Sequence, residues 1–329
     1  MRHAMDSTLN TEKAQKTAKP TLHPRNLHQG QYDFVSLMKA CPELQPHVIT
    51  NPRGELSINF SDPQSVLLLN KALLAYFYDI TFWQIPEGYL CPPIPGRVDY
   101  LHYIGDLLSE SFQGEVPTGS KIKGLDIGCG ANCIYPILGS RSYDWSFIGA
   151  DIDSLAVKTA SLLVKANHNI SKKISIRQQK NKQHILTGMV KPSDRFAFTL
   201  CNPPFHASME AAAAGSQLKQ KNLSKKAVNT LDKAKSELNF AGKAHELSCA
   251  GGEIAFVKQM VTESATLQEQ VCWFTCLLSK GENVAPIKKL LKQCGADQVK
   301  VVEMAQGHKI SRFIAWSFLS EQKRLAFFG

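Results

Sequence analysis

Asn202 opens the turn Asn202-Pro203-Pro204-Phe205-His206, and an apolar run, Phe196-Ala197-Phe198, leads into it through Thr199-Leu200-Cys201. An amide side chain can hydrogen-bond an exocyclic amine, and a ring such as Phe205 can stack on a planar base. Neither proline can donate to a strand ladder, and each restricts the residue before it. The apolar run is therefore expected to be a buried strand that ends abruptly. Its tip would lie at the carboxyl end of a strand, where open α/β sheets bind ligands. A strand followed by a stiff loop with a packed Phe carries the same letters, so this turn needs support from elsewhere in the chain.

That support comes from a glycine turn upstream. Gly124-Leu125-Asp126-Ile127-Gly128-Cys129-Gly130-Ala131-Asn132 reads as strand, turn and helix start. Glycine allows positive φ and close approach of a ligand to the backbone. A second strand over 146–150 ends at Asp151, about 20 residues beyond the glycines, where α/β nucleotide sites put an acid for ribose hydroxyls. Dinucleotide sites want a third glycine, and Cys133 stands in its place. Arg97 precedes a helix expected over 98–108. A cation at a helix N-terminus gains nothing from the helix dipole, which suits a role in holding a ligand carboxylate.

Gly128-x-Gly130 preceded by Asp126, then Asp151, then the Asn202-Pro203-Pro204-Phe205 turn resembles the class I S-adenosylmethionine-dependent methyltransferases that act on exocyclic amino groups. Four stretches narrow the resemblance: 22–26 (Leu-His-Pro-Arg-Asn), 124–136, 201–206 and 315–318. Together they look like the ribosomal RNA large subunit methyltransferase F family, bacterial 23S rRNA adenine-N6-methyltransferases. A eukaryotic N6-adenine methyltransferase of spliceosomal small nuclear RNA is related to it. The resemblance covers nearly all of the chain after about residue 20. It implies S-adenosyl-L-methionine as cofactor, with Asp126 to Gly130 bordering its methionine part, Asp151 at its ribose, and Arg97 at its carboxylate. It implies Asn202, Pro203, Pro204 and Phe205 as the catalytic turn, with Asn202 also beside the cofactor.

The implied fold is α/β: a class I methyltransferase Rossmann-like sheet, mostly parallel with an antiparallel C-terminal strand, plus a small N-terminal helical domain. The expected organisation is a disordered tail over 1–21, a helical, RNA-contacting domain over 22–95, and a catalytic domain over 96–329. Within 22–95, one short helix is expected in the stretch Tyr32 to Leu44, stopped near Pro42, and a second capped by Asp62 with Pro63 at its first position. The prolines Pro86, Pro92, Pro93 and Pro95 imply loop. The basic stretch Leu22 to His28 reads more readily as a linker than as an arm facing nucleic acid. Ser154 is expected to cap the helix after Asp151. Beyond the catalytic turn, Ile254-Ala255-Phe256-Val257 reads as a strand, as does Val271 to Thr275, and Val284 to Cys294 as a helix stopped by Gly295. The runs Val299 to Val302 and Phe313 to Phe318 can pair only antiparallel, because a parallel return needs a longer crossover.

The chain has 329 residues, a net charge of +10 and 43% hydrophobic residues, as in an ordinary globular protein with an anionic partner. A Lys-rich insertion over about 207–243 leaves the catalytic turn directly. Its Lys219, Lys221, Lys225 and Lys226, together with Arg25 and His206, are the candidate RNA contacts. Lys172, Lys173, Arg177, Lys180 and Lys182 form a second basic stretch. The nine cysteines lack metal-site spacing and are expected to be reduced core residues of a cytoplasmic protein. No metal, membrane span or signal peptide is expected. The expected partner is 23S rRNA or a pre-50S particle, and nothing demands a dimer.

The expected chemistry is brief. The Asn202 side-chain oxygen and the Pro203 carbonyl accept the two protons of an amine, localising its lone pair toward the methyl donor. Phe205 stacks on an extruded base. The rival readings are an N2-guanine rRNA methyltransferase, a protein glutamine methyltransferase, and a non-catalytic RNA-binding assembly factor.

Overall fold

The computed structural model describes residues 22–112, 114–204, 249–306 and 309–328. Its first helices begin at aspartates. Asp33 accepts hydrogen bonds from the backbone of Val35 and Ser36 at the start of α1 (Phe34–Ala40), and Asp62 does so from Gln64 and Ser65 at α2 (Pro63–Tyr78). Pro63 sits in the first turn of α2, where its missing N–H costs nothing. α1 stops just before Pro42, as the sequence predicts, and a 3₁₀ turn (Pro42–His47) takes over there. A small hairpin follows, β1 (Val48–Thr50) against β2 (Leu56–Ile58). Its strands are short and mostly exposed, so no apolar alternation announces them.

Helix α3 spans Ile94–Ser109 and begins earlier than expected. Pro95 lies in its first turn, which tolerates proline, so the loop ends at Pro93. Arg97 consequently stands inside the helix. The segment from Leu22 to His28 is packed rather than a linker. His23, Asn26 and His28 are buried, and Asp99 of α3 accepts hydrogen bonds from the His23 backbone (2.9 Å) and the Asn26 amide (2.6 Å).

The main sheet has seven strands: β3 (Lys123–Ile127), β4 (Ser146–Asp151), β5 (Ile174–Gln178), β6 (Phe196–Cys201), β7 (Val271–Leu278), β8 (Gln298–Gln306) and β9 (Lys309–Ser317), in the order β5-β4-β3-β6-β7-β9-β8. The first five run parallel, while β9 is antiparallel to both β7 and β8. Helices α4 (Ile134–Tyr143), α5 (Ser154–Ala166) and α6 (His168–Ser171) connect the strands on the β5 side of β3. Asp153, rather than Ser154, caps α5, its carboxylate accepting from the Leu155 backbone. An acid at that position also suits the positive end of the helix.

Past the turn at Asn202 come α7 (Gly252–Ser264), α8 (Val284–Gln293) and a closing α9 (Glu321–Ala326). The strand expected at Ile254 to Val257 is thus the first half of α7. Val257, Met260, Val261 and Ser264 are fully buried at helical spacing, and the four-residue apolar window is too short to show that period.

The core lies on both faces of the sheet. One cluster joins α2 and α3 to Trp145, Phe147 and Phe198, and the other joins α7 and α8 to Phe274 and Trp316. Trp316 is fully buried, stacked on Phe274, and donates its indole N–H to Ser264 at 2.9 Å. All nine cysteines are free thiols, six of them buried. No helix of the described residues is long and apolar enough to cross a membrane.

Candidate active site

Three neighbouring strands end in one row. Ile127 of β3 pairs with Ala150 of β4 on one side and Cys201 of β6 on the other. The next residues, Gly128, Asp151 and Asn202, therefore emerge side by side, one strand spacing (about 4.8 Å) apart. β3 is also where the strand order reverses, the crevice in which open α/β sheets bind ligands.

The glycine turn is held from β4. Gly128 and Cys129 donate their backbone N–H groups to the Ala150 carbonyl at 2.8 and 3.0 Å, and Gly130 donates to Asp151 Oδ2 at 2.9 Å. Asp151 Oδ1 accepts from the Asp153 backbone at 2.9 Å. Gly128 has φ +75°, and a Cβ built there would meet nothing within 4 Å. The turn thus leaves open space of the kind a ligand could fill.

Behind the turn lies Asp126, fully buried, with neither carboxylate oxygen hydrogen-bonded. Burial first, and Asp151 second, push its carboxyl well above the usual carboxylate range, while Arg97 opposes the shift. Arg97 donates to the Tyr135 hydroxyl at 2.7 Å and its guanidinium lies over that ring, but its Nε has no partner. Burial raises the Tyr135 hydroxyl to about 12. The half-satisfied guanidinium at the cavity wall suits a ligand that carries a carboxylate. At the end of β6, the Asn202 side-chain oxygen is buried and also without a partner. A buried acceptor left empty costs roughly 1–3 kcal/mol, so it awaits a donor.

These groups surround a cavity of about 360 Å³. Arg97, Gly128, Gly130, Asp151, Asn202 and Pro204 line it; Asp126 does not, standing beneath the turn instead. Pro203 is buried beside them. Phe205, His206, Lys219, Lys221, Lys225 and Lys226 fall outside the described residues, as does the insertion over 207–243. Arg25 is turned onto α3, donating to Asp106 (2.7 Å), the His102 carbonyl (2.8 Å) and the Tyr143 hydroxyl (3.0 Å). Of the second basic stretch, Lys173 pairs with Asp144 and Arg177 with Asp194, whereas Lys182 lines the cavity.

Several wall residues escaped the sequence reading. Leu90 and Pro92 belong to a strap between α2 and α3, held where Trp83 donates to the Asn132 carbonyl (3.0 Å) and Asn132 donates to the Leu90 carbonyl (3.3 Å). Ile152 and Gln179 follow β4 and β5 directly, and the rule that ligands sit at strand ends could have found them. Ala255, Phe256 and Gln259 line the cavity from α7, and reading that segment as a strand hid them. Among the described residues, no group of three or more His, Cys, Asp or Glu is placed to hold a metal.

Comparison with known proteins agrees with this geometry. A family described as RNA methyltransferase matches residues 16–320. The chain is 57% identical to a ribosomal RNA large subunit methyltransferase F of Psychromonas ingrahamii, over 92% of this chain and 96% of that protein. A protein of the same name from Pseudomonas savastanoi pv. phaseolicola is 53% identical, over 95% and 96%. Among solved structures, the hMettl16 catalytic domain in complex with the MAT2A 3'UTR hairpin 1 superposes with a TM-score of 0.73 at 31% identity, covering 91% of this chain and 96% of that one. The N-terminal domain of human METTL16 in complex with SAH gives 0.69 at 28% identity, covering 91% and 100%. A glycine turn, an acid at the next strand end and an empty amide acceptor beside them are thus found in a chain that matches one family over most of its length: it belongs to the RNA methyltransferase family.

Proposed function

We propose that the protein transfers a methyl group from S-adenosyl-L-methionine to N6 of an adenine in 23S rRNA, presented free or in a pre-50S particle. The observation that carries this reading is the unpartnered Asn202 side-chain oxygen, buried at the end of β6 beside the glycine turn. The names of the bacterial relatives support the rRNA, and the SAH-bound relative supports the cofactor. Adenine N6 as the acceptor follows from the family resemblance. The free thiols fit the cytoplasm, where rRNA is made.

The residues present fit the cofactor. Gly128 leaves room against the backbone, Asp151 offers a carboxylate for ribose hydroxyls, and the unpartnered Arg97 Nε suits a carboxylate. The cofactor supplies an electrophilic methyl group on a sulfonium. An adenine amine is a weak nucleophile because its lone pair is delocalised into the ring. Asn202 Oδ1 and the Pro203 carbonyl would accept its two N–H groups, turning the lone pair out of conjugation and toward the methyl donor. Positioning two bound reactants in this way can contribute up to about 7–11 kcal/mol.

Incubation with rRNA and cofactor, followed by mass spectrometry of the nucleosides, should yield N6-methyladenosine. N2-methylguanosine, or no methyl mark, overturns the reading. Asn202→Ala should lower kcat by on the order of a hundredfold or more, as loss of a transition-state contact does. The affinity for S-adenosylhomocysteine should stay within about threefold, since a lost neutral hydrogen bond is worth about 0.5 kcal/mol at the low end. Parallel loss of binding would remove Asn202 from the catalytic role.

A further inference from the structure

Between β5 and β6 the chain forms neither helix nor strand, yet four of its residues, Gln179, Lys182, His184 and Ile185, line the cavity. Three consecutive backbone N–H groups of this loop converge on one side chain of α7. Glu263 Oε2 accepts from Ile185 at 3.0 Å, Leu186 at 2.7 Å and Thr187 at 2.9 Å. Its Oε1 accepts from Gln259 at 2.9 Å, and Gln259 in turn donates to the Gln183 carbonyl. At the loop's near end, Gln179 donates its backbone N–H to the Asp151 carbonyl (2.8 Å) and its side-chain amide to the Thr187 carbonyl (2.9 Å). A loop with no ladder of its own is thereby given one by a single carboxylate. Burial opposes charge on Glu263, but the hydrogen bonds from Thr187, Gln259, Ile185 and Leu186 outweigh it and hold the carboxyl below its usual value.

We infer that Glu263 is a positioning residue for cofactor binding: it fixes the 179–187 loop against α7 and so holds two walls of the cavity in their binding arrangement. Glu263 does not line the cavity itself, so it acts through Ile185 and its neighbours. The inference rests on reading the cavity as the cofactor site. Ligand affinity scales with the fraction of molecules whose site is already formed. Without its carboxylate, the loop samples open arrangements, and each tenfold loss of the closed population raises the apparent Kd tenfold. Once the cofactor is bound, the loop is closed again, so turnover at saturation is little changed.

The test is calorimetric titration of the full-length protein with S-adenosylhomocysteine, which reads the cofactor site without any methyl transfer. Glu263→Ala should raise Kd by about tenfold, as expected for losing several hydrogen bonds to a charged group. Glu263→Gln keeps the shape and one acceptor oxygen, so it should fall between Ala and wild type, with a rise of about threefold or more. Methyl transfer should show a raised KM for the cofactor, with kcat within about twofold for both variants, the pattern of lost ground-state binding. Should Glu263→Ala fail to fold, the Glu263→Gln titration decides alone. A Kd within about twofold of wild type in a folded variant, or a fall in kcat with KM unchanged, overturns the inference. Asp151→Ala separates the two claims. If it leaves binding intact, the cavity is not the cofactor site; if it abolishes binding while Glu263→Ala does not weaken it, only the role of Glu263 fails.

Discussion

Two glycines of the same strand and turn serve different ends. A Cβ on Gly124 would lie 2.7 Å from both Phe147 and Phe198, inside the core where β3, β4 and β6 meet. A Cβ on Gly128 would touch nothing, but its φ of +75° strains any other residue, and the open space is where the cofactor would lie. Gly124→Ala should therefore destabilise the fold by about 1–3 kcal/mol through overpacking. Gly128→Ala should cost about 1–2 kcal/mol of backbone strain and should also weaken S-adenosylhomocysteine binding at least about tenfold. Thermal melts and calorimetric titrations of the two variants check the contrast. Equal effects on binding would remove Gly128 from the site. Both glycines were visible as letters, but which faced the core and which the cavity depended on the strands packed beside them.

The segment from Leu22 to His28 shows how an element can be misread when its partners are distant in sequence. Its basic, proline-punctuated composition reads as a linker, yet it is fastened to α2 and α3. His28 contacts the hydroxyls of Tyr78 (2.8 Å) and Tyr32 (3.2 Å), and His102 of α3 contacts the Tyr143 hydroxyl at 2.5 Å. Burial lowers the His28 imidazole to about 4. For His102, burial first, with His23 and Arg25 after it, lowers the value to about 3. Both values lie below that of an unfolded histidine, about 6.5, so the unfolded chain takes up protons first as the pH falls. The stability these neutral histidines contribute is complete above about pH 6.5 and is lost as the pH falls from there toward 4 and 3. Between pH 7.5 and 5 the loss is at most about 2 kcal/mol per histidine. The melting temperature of the wild type should thus fall by several degrees more over that range than that of a His28→Gln, His102→Gln double variant. Identical falls would show that these histidines do not carry the acid sensitivity.

Across the whole molecule, the net charge of +10 is the feature that speaks to a polyanionic substrate. RNA binding that neutralises phosphates releases counterions, so affinity should drop by about tenfold or more between 50 and 200 mM salt. S-adenosylhomocysteine affinity, set inside a small cavity, should change by less than about twofold over the same range, since enclosed pairs are screened little. Filter binding of an rRNA fragment and calorimetry at matched salt test this. A salt-independent RNA affinity would place the positive charge away from the substrate.

Much of this fold was legible because its information is local. Asp62-Pro63 starts a helix, β6 announces itself by an apolar run cut off by two prolines, and the last two strands are too close together to pair any other way than antiparallel. The turn at Asn202, the glycine turn and Asp151, which the structure brings together around one cavity, could be picked out too, since each depends on residue types at fixed spacing. What was not legible arises from pairings between residues far apart in the chain. α7 looked like a strand because a four-residue window cannot show a helical period, and only burial of Met260 and Ser264 against the sheet reveals it. The grip of Glu263 on Ile185, Leu186 and Thr187 spans nearly eighty residues, and no local pattern marks an acid that will meet three amides. Propensity and spacing act over a few residues, whereas closing a cavity depends on which distant surfaces the sheet order brings together.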